Sequence, residues 1–152
     1  MDSAILIGNL LKAVHVLFVA MGIGGGIAQN FLLKKFRTAS ANEAAASERM
    51  ALAVTKVVEF YGLLIALVTG LIVGIYTGAF GTGGYLHAKT LLVVILVGLS
   101  HVDLRNLKRM VALREAGKAE EVDSVKQKHL RFGTISMLFV VVIVLLVVMK
   151  PF

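Results

Sequence analysis

The sequence predicts an all-α integral membrane protein, a four-helix bundle with both termini on the non-cytoplasmic side of the membrane. Of its 152 residues, 58% are hydrophobic and only 16% are charged, and the mean hydropathy of +0.87 lies far above the range of soluble domains. The apolar residues form four segments, each long enough to cross a ~30 Å hydrocarbon core as a helix. Alternation of apolar and polar residues, which a transmembrane β-barrel requires, is absent from the sequence.

We predict a single transmembrane domain, 1–152, with spans at about 3–33, 50–77, 85–104 and 132–149. The first span ends at Lys34, Lys35 and Arg37 because charged side chains are costly in lipid. A tight glycine-rich link, 78–84, joins the second span to the third. The segment 105–131 is polar and charged, although its residues 109–113 are apolar enough to continue the third helix into water.

The basic residues predict the orientation of the chain. Of 16 Lys and Arg residues, five lie within 34–56 and eight within 105–131. Cytoplasmic loops carry the excess of Lys and Arg, so we expect the first and third loops in the cytoplasm of a multi-pass protein of the cell (inner) membrane. These loops would contact anionic lipid headgroups, and the charge requires no nucleic-acid partner.

Two sequence features exclude other interpretations. The first apolar segment lacks a basic leading region and is longer than the apolar part of a secretion signal, so we do not interpret it as a cleaved signal peptide. The chain has no cysteine, which excludes disulfides, thiolate metal sites and covalent haem attachment through a cysteine pair.

A stripe of small residues that carries one histidine runs along the first predicted helix. At 100° per residue, its members are Ala4, Gly8, His15, Gly22, Gly26 and Gln29. Such a stripe allows either another helix or a flat macrocycle to lie against the backbone. His15 could therefore ligate a haem iron or form a hydrogen bond with a neighbouring helix, and the pattern leaves both interpretations open.

Ionisable residues within the spans predict two polar layers, because such groups in lipid are usually functional. With a rise of ~1.5 Å per residue, the outer layer contains His15, His87 and Lys89. The inner layer contains Glu59, Lys56 and His101, with His129 at the membrane edge. His15 and His87 could meet in the outer layer, but His101 in the inner layer has only the distant His129, and this incomplete pairing favours one haem over two. Lys89 could bind a propionate or an anionic substrate, or extend to the outer interface.

Three stretches resemble the HemJ family, small four-helix membrane proteins that oxidise protoporphyrinogen IX to protoporphyrin IX. The first, 11–19, contains Lys12-Ala13-Val14-His15, similar to that family's Lys-Ala-Leu-His. The second, Tyr85-Leu86-His87-Ala88-Lys89, resembles its Trp-Leu-His-x-Lys motif with Tyr in place of Trp. The third is the apolar run that ends in Lys150-Pro151-Phe152.

The resemblance implies specific roles for three residues. His15 would be the family's essential first-span histidine and a haem b ligand, Lys89 its essential third-span lysine, and His101 its later third-span histidine. The implied reaction removes electrons and protons stepwise from a porphyrinogen, with haem b passing the electrons to a membrane quinone. The sequence departs from the family at 21–30, which lacks its Trp, Pro and Arg, and at 133–136, which replaces its Asn-Glu-x-Pro.

These observations leave three functions open. The first is the porphyrinogen oxidase just described, with His15 and Lys89 catalytic, His15 as the metal ligand, and His87, His101, Gly22 and Gly26 also contacting the cofactor. The second is a b-type haem electron carrier or an accessory subunit of a membrane complex. The third is a bundle without haem that packs against a larger membrane complex or moves a small solute. A homo-oligomer or a larger complex is compatible with all three.

Overall fold

The computed structural model describes residues 3–81 and 84–149 and confirms the all-α fold of a membrane four-helix bundle. The α-helices are α1 (Ser3–Lys35), α2 (Ala41–Val54), α3 (Tyr61–Tyr76), α4 (Tyr85–Glu115) and α5 (Ala119–Met149). A π-helical segment, Thr55–Phe60, joins α2 and α3 into one continuous helix, Ala41–Tyr76. The structure therefore has four helices long and apolar enough to cross a membrane. The closing residues 150–152, which carry the third resembling stretch, lie outside the described residues.

The helices continue well beyond the apolar segments. Residues 105–115 and 119–131, which are polar and charged, are helical, and so are 41–49. Ser40 caps α2 in a capping box: its hydroxyl accepts a hydrogen bond from the Glu43 amide at 3.5 Å, and the Glu43 carboxylate accepts one from the Ser40 amide at 3.0 Å. A 31-residue helix such as α4 is about 45 Å long at ~1.5 Å per residue, so it projects past the hydrocarbon core.

Glycines bring α1 against the α2–α3 helix. A Cβ atom on Gly62 would lie 2.7 Å from the Gly22 backbone nitrogen, and one on Gly25 would lie 2.7 Å from the Glu59 backbone nitrogen. The two backbones can approach this closely only because these side chains are absent, as is common between helices in lipid. On the other side of the bundle, α4 packs along α5.

The tightly packed core lies at the predicted cytoplasmic end. Its buried apolar side chains belong to α1, α2, α4 and α5: Leu33, Ala51, Leu107, Met110, Val122 and Val125. In α4 and α5 every buried residue falls within 96–110 and 122–133. The outer parts of these helices contain no buried residue among those described, and this looser packing leaves space for a cavity.

Candidate functional site

A partly open cavity of about 320 Å³ lies between the helix halves that we predict to be the outer ones. Its walls are almost entirely apolar, and its volume is at the lower end of the range for small-molecule sites. The polar side chains in its lining are His15 from α1 and Lys89 and Thr90 from α4. We therefore take this cavity, here called the outer cavity, as the candidate site.

His15 is held in one orientation by Thr69 of α3. The Nδ1 atom of His15 lies 3.2 Å from Thr69 Oγ1, and the Thr69 hydroxyl donates its single proton to the Ile65 carbonyl at 2.7 Å. Thr69 must then accept a hydrogen bond from His15, so we assign the proton of a neutral imidazole to Nδ1. The lone pair is on Nε2, which is the arrangement typical of a histidine metal ligand oriented by a second residue.

Gly70 makes room for the imidazole. A Cβ atom at this position would lie 2.8 Å from His15 Cε1, which is too close for a real contact. The half-buried histidine is thus placed at the cavity wall by its contacts with Thr69 and with the Ala66 backbone, and by the absence of a side chain at position 70. Neither contact involves the glycines of α1.

Lys89 reaches the same cavity from α4 and is also half-buried. Among the described residues, no acidic side chain forms an ion pair with Lys89. Its ammonium group can therefore bind an anionic group of a molecule in the cavity.

His87 is placed differently from its two predicted neighbours in the outer layer. Its side chain is exposed, its Nε2 atom lies 3.2 Å from the Phe80 carbonyl oxygen, and its ring lies 5.5 Å from the Phe80 ring between centroids. His87 does not line the outer cavity, although Phe80 does. The structure thus brings together His15 and Lys89 of this layer.

The buried polar residues of the inner layer differ from those predicted. Glu59 is buried, but Lys56 and His101 are exposed, and the His101 ring lies 6.0 Å from the Phe60 ring between centroids. Asp103 of α4, which lines a small cavity together with Glu59, is buried instead, and His129 of α5 is buried beside Asp103.

His129 is fully buried rather than at the membrane edge. Its Nε2 atom lies 2.7 Å from Gln29 Oε1, and its Nδ1 atom lies 3.2 Å from Asp103 Oδ1. His129 Nδ1 and Asp103 Oδ1 are close enough for an ion pair, but their directions do not allow a hydrogen bond between them. Gln29, His129 and Asp103 thus connect α1, α5 and α4.

Gly22 and Gly26 face the α2–α3 helix. A Cβ atom on Gly22 would lie 2.8 Å from Leu63 Cγ, and one on Gly26 would lie 3.5 Å from the Glu59 carboxyl carbon. The sequence left open whether a helix or a flat macrocycle lies against the stripe of small residues on α1. At both glycines the structure places a helix there.

Sequence reasoning missed Thr69, Gln29 as a partner of His129, and the burial of Asp103. A threonine inside an apolar helix often bonds to its own backbone, so Thr69 gave no signal of its own. Gln29 did lie on the same predicted stripe as His15. Its pairing with a residue 100 positions away depends on helix packing and could not be inferred from periodicity.

The comparison with protein families agrees with this architecture. The model of a family described as "Predicted integral membrane protein (DUF2269)" matches residues 9–151, nearly the whole chain. No curated protein and no solved structure matches the chain. The chain crosses the membrane several times and belongs to the DUF2269 family of integral membrane proteins.

Proposed function

We propose that this protein is a membrane oxidoreductase that binds haem b and oxidises protoporphyrinogen IX to protoporphyrin IX, as in the HemJ family that it resembles. One observation carries the proposal. His15 and Lys89, which the resemblance identifies as essential, are 74 positions apart by their numbering and on different helices, and they line the same apolar cavity.

The residues of the outer cavity fit a haem. His15 offers Nε2 with its lone pair, because Thr69 accepts the Nδ1 proton. The apolar walls suit the faces of a macrocycle, and the Lys89 ammonium suits a propionate. A tetrapyrrole substrate has the same combination of an apolar ring and anionic side chains.

In the proposed reaction, bound haem b supplies one-electron chemistry between the porphyrinogen and a membrane quinone. The chain itself supplies binding and orientation. His15 would ligate the haem iron through Nε2, Thr69 would keep the imidazole in the tautomer that leaves this atom free, and Lys89 would position a carboxylate by its charge. The apolar lining keeps water away from the site, which strengthens these electrostatic contacts. We place the protein in the cell membrane.

The absorption spectrum of the detergent-purified protein, oxidised and reduced, tests the cofactor. We expect a haem Soret band that is lost or strongly reduced in His15→Ala and retained in His87→Ala. His87 is the matched control, since it belongs to the same outer layer but lies outside the cavity. A colourless wild-type protein, or an unchanged spectrum in His15→Ala, would reject the haem assignment.

Growth of a strain that lacks protoporphyrinogen oxidase tests the reaction. We expect the wild-type chain and His87→Ala to restore growth, and His15→Ala and Lys89→Met to fail. A wild-type protein that has the haem spectrum but does not restore growth would identify an electron carrier or accessory subunit instead. The two measurements thus separate cofactor binding from activity.

A further inference from the structure

A second, smaller cavity lies directly below the outer cavity. Its volume is about 30 Å³, which is enough for roughly one or two water molecules. Both cavities are lined by the same four apolar side chains, one from each membrane-crossing helix: Ile23, Leu63, Leu96 and Val140. A single apolar layer therefore separates this inner cavity from the outer one.

Two buried carboxyl groups face the inner cavity. Glu59 is 5% exposed and Asp103 is 1% exposed, and both line the cavity. Glu59 Oε2 and Asp103 Oδ1 each lack a hydrogen-bond partner among the described residues. Buried polar oxygens in proteins normally have a partner. Asp103 Oδ1 has His129 Nδ1 at 3.2 Å, so Glu59 Oε2 is the atom that a hydrogen-bonding occupant of the cavity would satisfy.

The charged groups around the cavity do not balance two carboxylates. The α1 helix contributes Asn30, which is neutral, and α5 contributes Ser136 to the lining and His129 beside Asp103. On the helices that carry the two carboxyl groups, the nearby Lys56, His101 and Arg105 are all exposed. Lys126 of α5 is buried, but it lies 3.8 Å from Glu48. Among the described residues, His129 is then the one group that can become cationic in direct contact with either carboxyl group, at 3.2 Å from Asp103.

We propose that the inner cavity is a proton-binding site in which Glu59, Asp103 and His129 share protons through an internal water. Two carboxylates and, in the described part of the chain, a single imidazole that could become cationic beside them are costly in a low-dielectric interior, and retaining a proton lowers that cost. His129 Nε2 lies 2.7 Å from Gln29 Oε1, an acceptor, and donates to it. Nδ1 lies 3.2 Å from Asp103 Oδ1 without the direction of a hydrogen bond, so it is the atom left to exchange a proton with Asp103 through the water. The three groups titrate together, as coupled sites do.

The position of this site next to the outer cavity indicates a source for its protons. Protons held at Glu59 are one apolar layer from the outer cavity, where oxidation of a substrate would release protons. The proton-binding site itself does not depend on haem or on the oxidase reaction, and its test uses neither.

Infrared spectroscopy of the full-length protein in lipid nanodiscs tests the proposal. At neutral pH we expect the C=O stretch of a protonated carboxyl group, with a shift in D₂O. The band should lose intensity in Glu59→Gln and in Asp103→Asn, which keep the shape of the side chains. Glu120→Gln, at an exposed carboxylate on α5, is the matched control and should leave the band unchanged.

Two results would overturn the proposal. One is a folded wild-type protein without a protonated carboxyl band at neutral pH. The other is loss of the band when NaCl is added at constant pH, which would make the cavity a cation site. If the variants do not fold, labelling of the wild type with dicyclohexylcarbodiimide, which modifies protonated carboxyl groups in apolar surroundings, gives the answer. We expect adducts on Glu59 or Asp103 by mass spectrometry, and unmodified peptides at both positions would also reject the site.

Discussion

Arg114 of α4 forms two parallel hydrogen bonds with Glu48 of α2. Arg114 Nη2 lies 2.6 Å from Glu48 Oε1, and Arg114 Nε lies 3.1 Å from Glu48 Oε2. Lys126 of α5 approaches the same carboxylate at 3.8 Å, and Glu48 has no exposed surface. One buried carboxylate thus joins three helices at the predicted cytoplasmic end of the bundle. An Arg–carboxylate pair with two parallel hydrogen bonds is among the strong contacts in proteins.

We expect Glu48→Ala to lower the free energy of unfolding by about 3–5 kcal/mol, because it removes the carboxylate that Arg114 and Lys126 share and leaves the buried Lys126 without an ion-pair partner among the described residues. Denaturant unfolding in detergent micelles measures this. The control is Glu115→Ala, which removes an exposed pair with Arg49 at 3.1 Å and should change little. Equal effects of the two substitutions would show that the buried cluster does not hold the helices together.

Gly62→Ala should separate α1 from α3, since the new Cβ would lie 2.7 Å from the Gly22 backbone nitrogen. We expect a loss of about 1–3 kcal/mol of stability, as for other overpacked sites. Gly24→Ala is the matched control, because a Cβ there has no described atom within 4 Å. Thermal unfolding should show a lower midpoint for Gly62→Ala alone, and a lower midpoint for both would contradict the packing argument.

Thr69→Val should weaken cofactor retention while keeping the shape of the side chain. The substitution removes the acceptor of the His15 Nδ1 proton, and loss of such a supporting contact typically costs roughly 10–100-fold in metal affinity. Thr90→Val is the control, since Thr90 lines the same cavity but donates its hydroxyl to the Leu86 carbonyl. Haem titration of the apo-protein measures both affinities. Identical haem affinities of the two variants would show that Thr69 does not support the histidine ligand.

Single-cysteine labelling tests the orientation, and the natural chain offers a background without cysteine. We expect Gly81→Cys to react with a membrane-impermeant maleimide in intact cells and Thr38→Cys to react only after lysis. Both positions are exposed. The reason is the excess of Lys and Arg around the first and third connections, which favours the cytoplasm. The opposite labelling pattern would show that the bundle has the reverse orientation in the membrane.

Part of the candidate site was predictable from the sequence. His15 and Lys89 were identified because ionisable groups are rare inside apolar segments. Their meeting in one cavity, and the positions of His87 and His101 outside it, depend on the rotation of α4 about its own axis. Both sides of that helix carry polar groups, so its periodicity did not indicate which side faces inward.

The amino-acid sequence alone determined that this protein lies in a membrane and has four crossing helices, because the transfer of a segment into lipid depends on the composition of that segment. Tertiary structure decided which polar groups meet. The pairs His15–Thr69, His129–Gln29 and Glu48–Arg114 join residues 54 to 100 positions apart. Such pairs form only when close glycine contacts set the distance and rotation of neighbouring helices, which no single segment encodes.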